Sequence, residues 1–188
     1  LHPGGTPGLR HPAKDALGVG DPPRMPRSPK RTSRFSGPCA QGIHLSGVPR
    51  DEIFLTTKVN NTDQGYDQTL KAFDESLKKL NTEYIDLYLI HWPIKHKRKE
   101  TWRAIEHLYQ YKRVKNIGVA NYLLPFLKEL EEYANVVPAV NQMEFSPYLF
   151  LEQEWQYCNQ HEIILQAYTP LVRGQKFNDP RLHAFELK

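Results

Sequence analysis

The stretch "YIDLYLIHWP", Tyr84 to Pro93, decides the fold. From Tyr84 to Ile90 it is apolar except for Asp86, and it then stops at His91, Trp92 and Pro93. A short apolar run that does not alternate, bounded by a breaker, reads as a strand buried on both faces. Parallel sheets make such strands, whereas half-solvated antiparallel sheets alternate. A core strand that finishes on a titratable ring needs an explanation, and the flanking segments offer one.

Working outward, "EIFLTTKV" (Glu52–Val59) is β-rich, and "GYDQTLKAFDESLKKL" after it sets Leu70, Phe73, Leu77 and Leu80 on one helical face. Downstream of Pro93, "TWRAIEHLYQYKR" repeats that period with Trp102, Ile105 and Leu108. "VKNIGVAN" then reads as a strand, "LLPFLKELEEYA" as a helix, "AVNQMEF" as a strand, "LEQEWQYCNQH" as a helix and "IILQAYTPL" as a strand. The chain thus alternates about five strands with four helices, which implies right-handed crossovers and an α/β fold with a parallel sheet. Two architectures satisfy the pattern: an open doubly wound sheet, or part of a (β/α)8 TIM barrel.

Polar side chains gather where these strands end: Lys58, His91, Asn121, Asn141 with Gln142, and Tyr168. Both architectures place active sites along that edge. Singly, each has a plainer reading. Lys58 suits a solvated strand end, His91 a satisfied rim residue, Asn121 a helix cap, Gln142 a partner for a backbone group and Tyr168 simple packing. Together, at successive strand tips, they point to a shared site. No Gly-x-Gly-x-x-Gly, P-loop, Gly-x-Ser-x-Gly or His-Glu-x-x-His pattern occurs, so those phosphate, hydrolase and zinc chemistries lack support.

Composition separates a tail from a domain. Residues 1–42 hold roughly seven Lys or Arg against two Asp, which accounts for the net charge of +4 over 188 residues. Rich in Pro, Gly and Arg, with Phe35 as the one aromatic, this segment buries too little to offset its ordering entropy and is expected to be disordered. "PRMPRSPKR" would suit an SH3-type groove or an anionic surface, and a solvated tail is the plainer expectation. The basic residues are few and not interleaved with aromatics, which argues against nucleic acid. Residues 43–188 form the expected folded domain. Cys39 and Cys158 build no disulfide framework or metal spacing, so a reducing, cytoplasmic setting is expected and no metal. No apolar run reaches membrane-spanning length, and the beginning lacks the apolar core of a signal peptide.

"SGVPRDEIFLTTKV", "DESLKKLNTEYIDLYLIHWP", "TWRAIEHLYQYKRVKNIGVAN", "VVPAVNQMEFSPY" and "LQAYTPL" resemble, in order over residues 43–183, the motifs of the aldo-keto reductase family. The short connection "IKHKRKETW" is similar to that of microbial-type members, the diketogluconate and glyoxal reductases. The resemblance implies a (β/α)8 barrel that uses NADPH or NADH to reduce a small aldehyde or ketone without a metal. By the same resemblance Lys58 and His91 are catalytic, the lysine lowering the pKa of a proton-donating tyrosine and the histidine orienting the carbonyl oxygen. Such chemistry needs a donor and fixed dipoles where alkoxide charge develops.

The resemblance also assigns Asn121 and Gln142 to the nicotinamide carboxamide, Tyr168 to stacking on the ring, Thr169 and Leu171 to the pyrophosphate, and Trp92 to the substrate pocket. Ala120 replaces the family's usual serine, which implies a loss of about 1 kcal/mol, the worth of one hydrogen bond. The family's first two βα units, with a catalytic Asp and Tyr, have no counterpart in residues 1–42, and no tyrosine precedes Tyr66. The strand that grips the adenosine 2′-phosphate would follow Lys188. About five of eight βα units are therefore expected, with unpaired outer strands. The alternative function is a catalytically inactive truncated relative, an interaction protein or a non-functional fragment. Substrate identity, choice of nucleotide and oligomeric state are left open.

Overall fold

The computed structural model describes residues 37–182. The first described element is helix α1 (Pro38–Ser46), opened by a proline in its first turn and closed by Gly47 in the left-handed region at φ 69°. Strands β1 (Thr56–Val59), β2 (Ile85–Ile90), β3 (Val114–Ala120), β4 (Val140–Glu144) and β5 (Ile164–Tyr168) follow in turn. Helices α2 (Tyr66–Leu80), α3 (Arg98–Gln110), α4 (Leu124–Glu131) and α5 (Glu152–Gln160) fill the gaps between them.

Every neighbouring pair is parallel, and the strands lie in simple chain order, β1-β2-β3-β4-β5. A doubly wound sheet would reverse direction at a switch point. Strict succession is the arrangement of a (β/α)8 barrel, and it decides between the two architectures for these five strands. The packing agrees. One apolar cluster joins Tyr88, Ile90, Ile117 and Val119 of the sheet to Phe73, Trp102, Leu127 and Tyr157, one from each of the four intervening helices. A second, small cluster of Leu87, Leu89, Ala139 and Val140 contains no helical residue. The helices therefore cover one face, and the other is the concave one.

Across the concave face the register forms rows. Lys58 stands beside Leu89, which pairs with Gly118, then Val140, then Ile164. The next row runs Ala120, Gln142, Gln166. Gly118 lets these strands approach: a Cβ there would lie 2.5 Å from the Val140 carbonyl oxygen and 2.8 Å from a Leu89 methyl.

Asp86, the one charge in the decisive stretch, is buried at the opposite end of β2. It accepts from the Leu55 amide at 2.9 Å and pairs with Arg50 and Lys115, each at 2.8 Å. Arg50 also donates to Thr82 Oγ1 and to the carbonyls of Ile53 and Tyr84. This ionic staple ties the segment before β1, the start of β2 and the start of β3 together.

Several boundaries differ from expectation. β1 begins at Thr56, because Arg50–Glu52 form a 3₁₀ turn that presents Arg50 to Asp86. α3 starts at Arg98, three residues before the Thr101 expected, since Arg98 is clamped by the Glu129 carboxylate. α1 runs across the expected tail–domain boundary after residue 42. The rest of the expected tail, with its proposed groove or surface contacts, and the last six residues lie outside the described residues. Burial on both sheet faces holds for β2, which is buried throughout, but not for β5, where Ile164 is 58% exposed.

Candidate functional site

Lys58, His91, Asn121, Gln142 and Tyr168 all stand at the C-terminal edge of the sheet. Lys58 is the penultimate residue of β1, His91 follows β2, Asn121 follows β3, Gln142 lies in β4, and Tyr168 ends β5. All five are half-buried. Because Ile90 pairs with Val119, His91 falls beside Ala120, in the row that continues to Gln142. Parallel strands in stagger thus bring residues over a hundred positions apart to one mouth.

Hydrogen bonds join three of the tips. Tyr168 donates its phenol to Asn121 Oδ1 at 2.8 Å, and Asn121 Nδ2 donates to the His91 carbonyl at 2.9 Å. Asn121 takes the left-handed conformation, φ 61°, which asparagine tolerates better than most side chains. Its backbone amide donates to the Gln142 carbonyl at 2.9 Å. Asn121 is therefore a bracket between strands and not a helix cap; α4 is preceded by Leu123, and the amide of its first residue, Leu124, donates to the Glu154 carboxylate at 3.2 Å. Asn141, by contrast, points into the core, where its amide embraces the backbone of Tyr122 and so fixes the turn that follows Asn121.

His91 is drawn below the ordinary imidazole pKa, first by partial burial and second by the positive charge of Lys58. Both effects favour the neutral ring. The Lys58 ammonium makes no hydrogen bond or ion pair of its own among the described residues. Trp92 is 43% exposed beside His91, with ring centroids 6.3 Å apart. Thr169 continues from Tyr168 in a left-handed turn, φ 55°, and accepts from the Val172 amide. Leu171 is 66% exposed and opens a short 3₁₀ turn.

Two further residues belong to the mouth. Gln166 accepts from Gln142 Nε2 at 2.8 Å. Gln64, only 2% exposed, donates to the Trp92 carbonyl at 2.7 Å and so pins the loop after β2 to the loop after β1. The neighbouring Gly65 amide reinforces the junction by donating to Thr101 Oγ1 at 2.9 Å. Neither glutamine carries a local motif. For Gln166, the alternation of β5 gives the only signal, since it shares a face with Tyr168. Among the described residues no group of three or more His, Cys, Asp or Glu is placed to hold a metal, and no helix is long and apolar enough to cross a membrane.

The chain is similar to known proteins. A model of the "Aldo/keto reductase family" matches residues 37–181. Glyoxal reductase of Bacillus subtilis is 50% identical over 134 residues, covering 71% of this chain and 49% of that protein. The crystal structure of an aldo/keto reductase from Brucella melitensis superposes with a TM-score of 0.73 at 46% identity, over 77% of this chain and 56% of that one. A Bombyx mori aldo-keto reductase solved in complex with NADP gives a TM-score of 0.71 at 34% identity, over 78% and 55% of the two chains. The chain spans about half the length of the curated relatives it matches.

Proposed function

Because the chain belongs to the aldo/keto reductase family, we propose that its strand tips form the carbonyl-reducing site of an NAD(P)H-dependent oxidoreductase acting on a small aldehyde or ketone. The observation that carries this reading is the bonded series Tyr168–Asn121–His91, with Gln142 alongside. The donor set suits a nicotinamide. Its carboxamide presents one acceptor and two donors, and two primary amides, Asn121 and Gln142, face the same mouth with capacity left over. Gln142 Oε1 has no partner among the described residues, and each amide nitrogen keeps a second N–H. The tether from the Tyr168 phenol to Asn121 holds that ring in a fixed orientation as a stacking surface. Thr169 and Leu171 follow at once in the turn after β5, where a pyrophosphate would run. NADPH and NADH remain equal choices. The nicotinamide supplies a hydride when bound.

The chain's own residues provide the polar environment. His91, kept neutral by burial and by Lys58, offers an N–H to a carbonyl oxygen without itself carrying charge. Lys58 holds an unneutralised cation where negative charge develops on that oxygen, and preorganised charge of this kind supplies much of the rate enhancement in such sites. Trp92 walls the approach. A reducing, cytoplasmic setting completes the proposal, supported by two free cysteines, exposed Cys39 and buried Cys158.

A second reading is favoured by a specific observation. Three phenols among the described residues are already bonded: Tyr66 with His107, Tyr157 with Glu131, and Tyr168 with Asn121. Tyr88 and Tyr122 are sealed in the core, where burial raises their pKa values. On this reading the 188-residue chain holds a nicotinamide without reducing a carbonyl, as a catalytically incomplete relative. NADPH binding and NADPH consumption with a panel of aldehydes separate the two. Protein-dependent consumption that falls about a hundredfold in His91→Ala supports the reductase. Binding that is weakened by Gln142→Ala, without consumption, supports the second reading. Absence of binding overturns both.

A further inference from the structure

Successive carbonyls at the start of the loop after β2 are each taken by a side chain from a different element. The His91 carbonyl accepts from Asn121 Nδ2 at 2.9 Å, the Trp92 carbonyl from Gln64 Nε2 at 2.7 Å, and the Pro93 carbonyl from Arg98 Nη1 at 3.4 Å. Asn121 follows β3, Gln64 lies in the loop after β1, and Arg98 opens α3. Gln64 is the odd member. Asn121 uses both ends of its amide, since its Oδ1 accepts the Tyr168 phenol, and Arg98 is matched by Glu129. Gln64 is only 2% exposed, yet its Oε1 has no hydrogen-bond partner among the described residues. The amide cannot turn over to relieve this. A backbone carbonyl only accepts, so the nitrogen must face Trp92 and the oxygen is committed to the unmatched side.

A buried acceptor left unmatched lowers stability, and departures of this kind gather at functional sites. Local need does not explain this one. The Trp92 carbonyl already accepts the Ile94 amide at 2.9 Å. The two loops are joined without Gln64 as well: the Gly65 amide donates to Thr101 Oγ1 at 2.9 Å, and that hydroxyl donates to the Lys97 carbonyl at 2.9 Å. Thr69 of α2 closes the near side, its amide on the Gly65 carbonyl and its hydroxyl on that of Asp63. What remains is Trp92 itself. Its indole is 43% exposed beside the His91 ring, and the rotamers open to an exposed ring follow from its backbone angles.

We infer that Gln64 is a positioning residue for Trp92: by holding the Trp92 carbonyl it fixes where the indole stands beside His91, and the fold is less stable for it. This rests on the carbonyl site proposed above and adds to it a buried residue that touches neither substrate nor nucleotide. A small misplacement of a group that walls a reacting centre is enough to weaken what binds there.

The test uses the full chain labelled with 5-fluorotryptophan, which places a fluorine on each of Trp92, Trp102 and Trp155. Trp92→Phe assigns the first resonance. In Gln64→Met, which keeps the side-chain length without the amide, the Trp92 resonance is expected to broaden or split while those of Trp102 and Trp155 stay in place. The midpoint of chemical denaturation should hold or rise, because the unmatched oxygen leaves with the amide. With NADP+ saturating, so that no turnover occurs, benzaldehyde should bind this variant about tenfold more weakly, as calorimetry reads it. NADP+ itself should bind as before, and the His91 imidazole should titrate as before, since Asn121 still holds the His91 carbonyl. Gln64→Glu supplies the rescue. Its protonated acid donates to the Trp92 carbonyl and its carboxylate cannot, so the wild-type Trp92 resonance should return at acid pH and be lost as the group ionises, with Gln64→Met as the control over the same range. A lowered midpoint in Gln64→Met with every fluorine resonance disturbed makes the residue merely structural and overturns the inference. So does an undisturbed Trp92 resonance, or an unchanged affinity for benzaldehyde. Failure of the wild type to bind NADP+ and benzaldehyde overturns the carbonyl site itself, and this inference with it; the fluorine and denaturation readouts need neither ligand, so the two failures are told apart.

Discussion

His91 shows how much a single position can hold. Its ring is depressed below the usual value of about 6.5, by burial first and by Lys58 second. The neutral ring is favoured in the folded state. Its contribution to stability is therefore full above the unfolded value and is lost as the pH falls through the depressed one. Lys58→Ala should move the His91 midpoint upward but not fully back, because burial persists; a titration of the imidazole resonances checks it. No movement would mean that the ammonium does not act on the ring. His91, Lys58, Asn121, Gln142 and Tyr168 were legible in the sequence because each is a polar residue in the C-terminal part of an apolar run or just after it. Their partners were not. The bond from Tyr168 to Asn121 spans 47 positions and that from Gln142 to Gln166 spans 24, so both depend on strand register, which periodicity leaves undetermined.

At the scale of elements, two close fits hold the sheet. Gly118→Ala would push a methyl into the Val140 carbonyl and Leu89, so β3 and β4 must part. It should cost about 1–3 kcal/mol, as overpacking does, and chemical denaturation measures it. NADPH affinity should drop with it, since Gln142 lies in the next row on β4. Asp86→Asn removes the charge that Arg50 and Lys115 share. With both cations partly exposed, a loss of about 2–3 kcal/mol is expected, below the full penalty for a broken buried pair. Burial alone would raise the Asp86 pKa, yet the bonds from Lys115, the Leu55 amide and Arg50 hold it below the ordinary carboxylate value. The wild type should therefore lose this stability as the pH drops below about 4, and the Asn variant should show no such loss. The helices and strands were readable from their periods. Their first residues were not, because Arg98 and Arg50 set them through partners distant in sequence.

For the molecule as a whole, chain-order succession of the strands separated barrel from doubly wound sheet, and no local pattern carries that information. Among the described residues β1 and β5 each have a strand on one side only, and β5 adds Ile164 at 58% exposure with Trp155 at 45% nearby on α5. Unpaired edges of this kind invite pairing with another chain. The isolated 188-residue chain should sediment as a concentration-dependent mixture, and Ile164→Lys should shift it toward monomer; a sharp monomer peak at every concentration would count against this. The tether running from Tyr168 through Asn121 to the His91 carbonyl has a different kind of consequence. It acts as a drawstring around the rim. Changes in the loops beyond it can therefore alter what meets the rim without moving the rim itself.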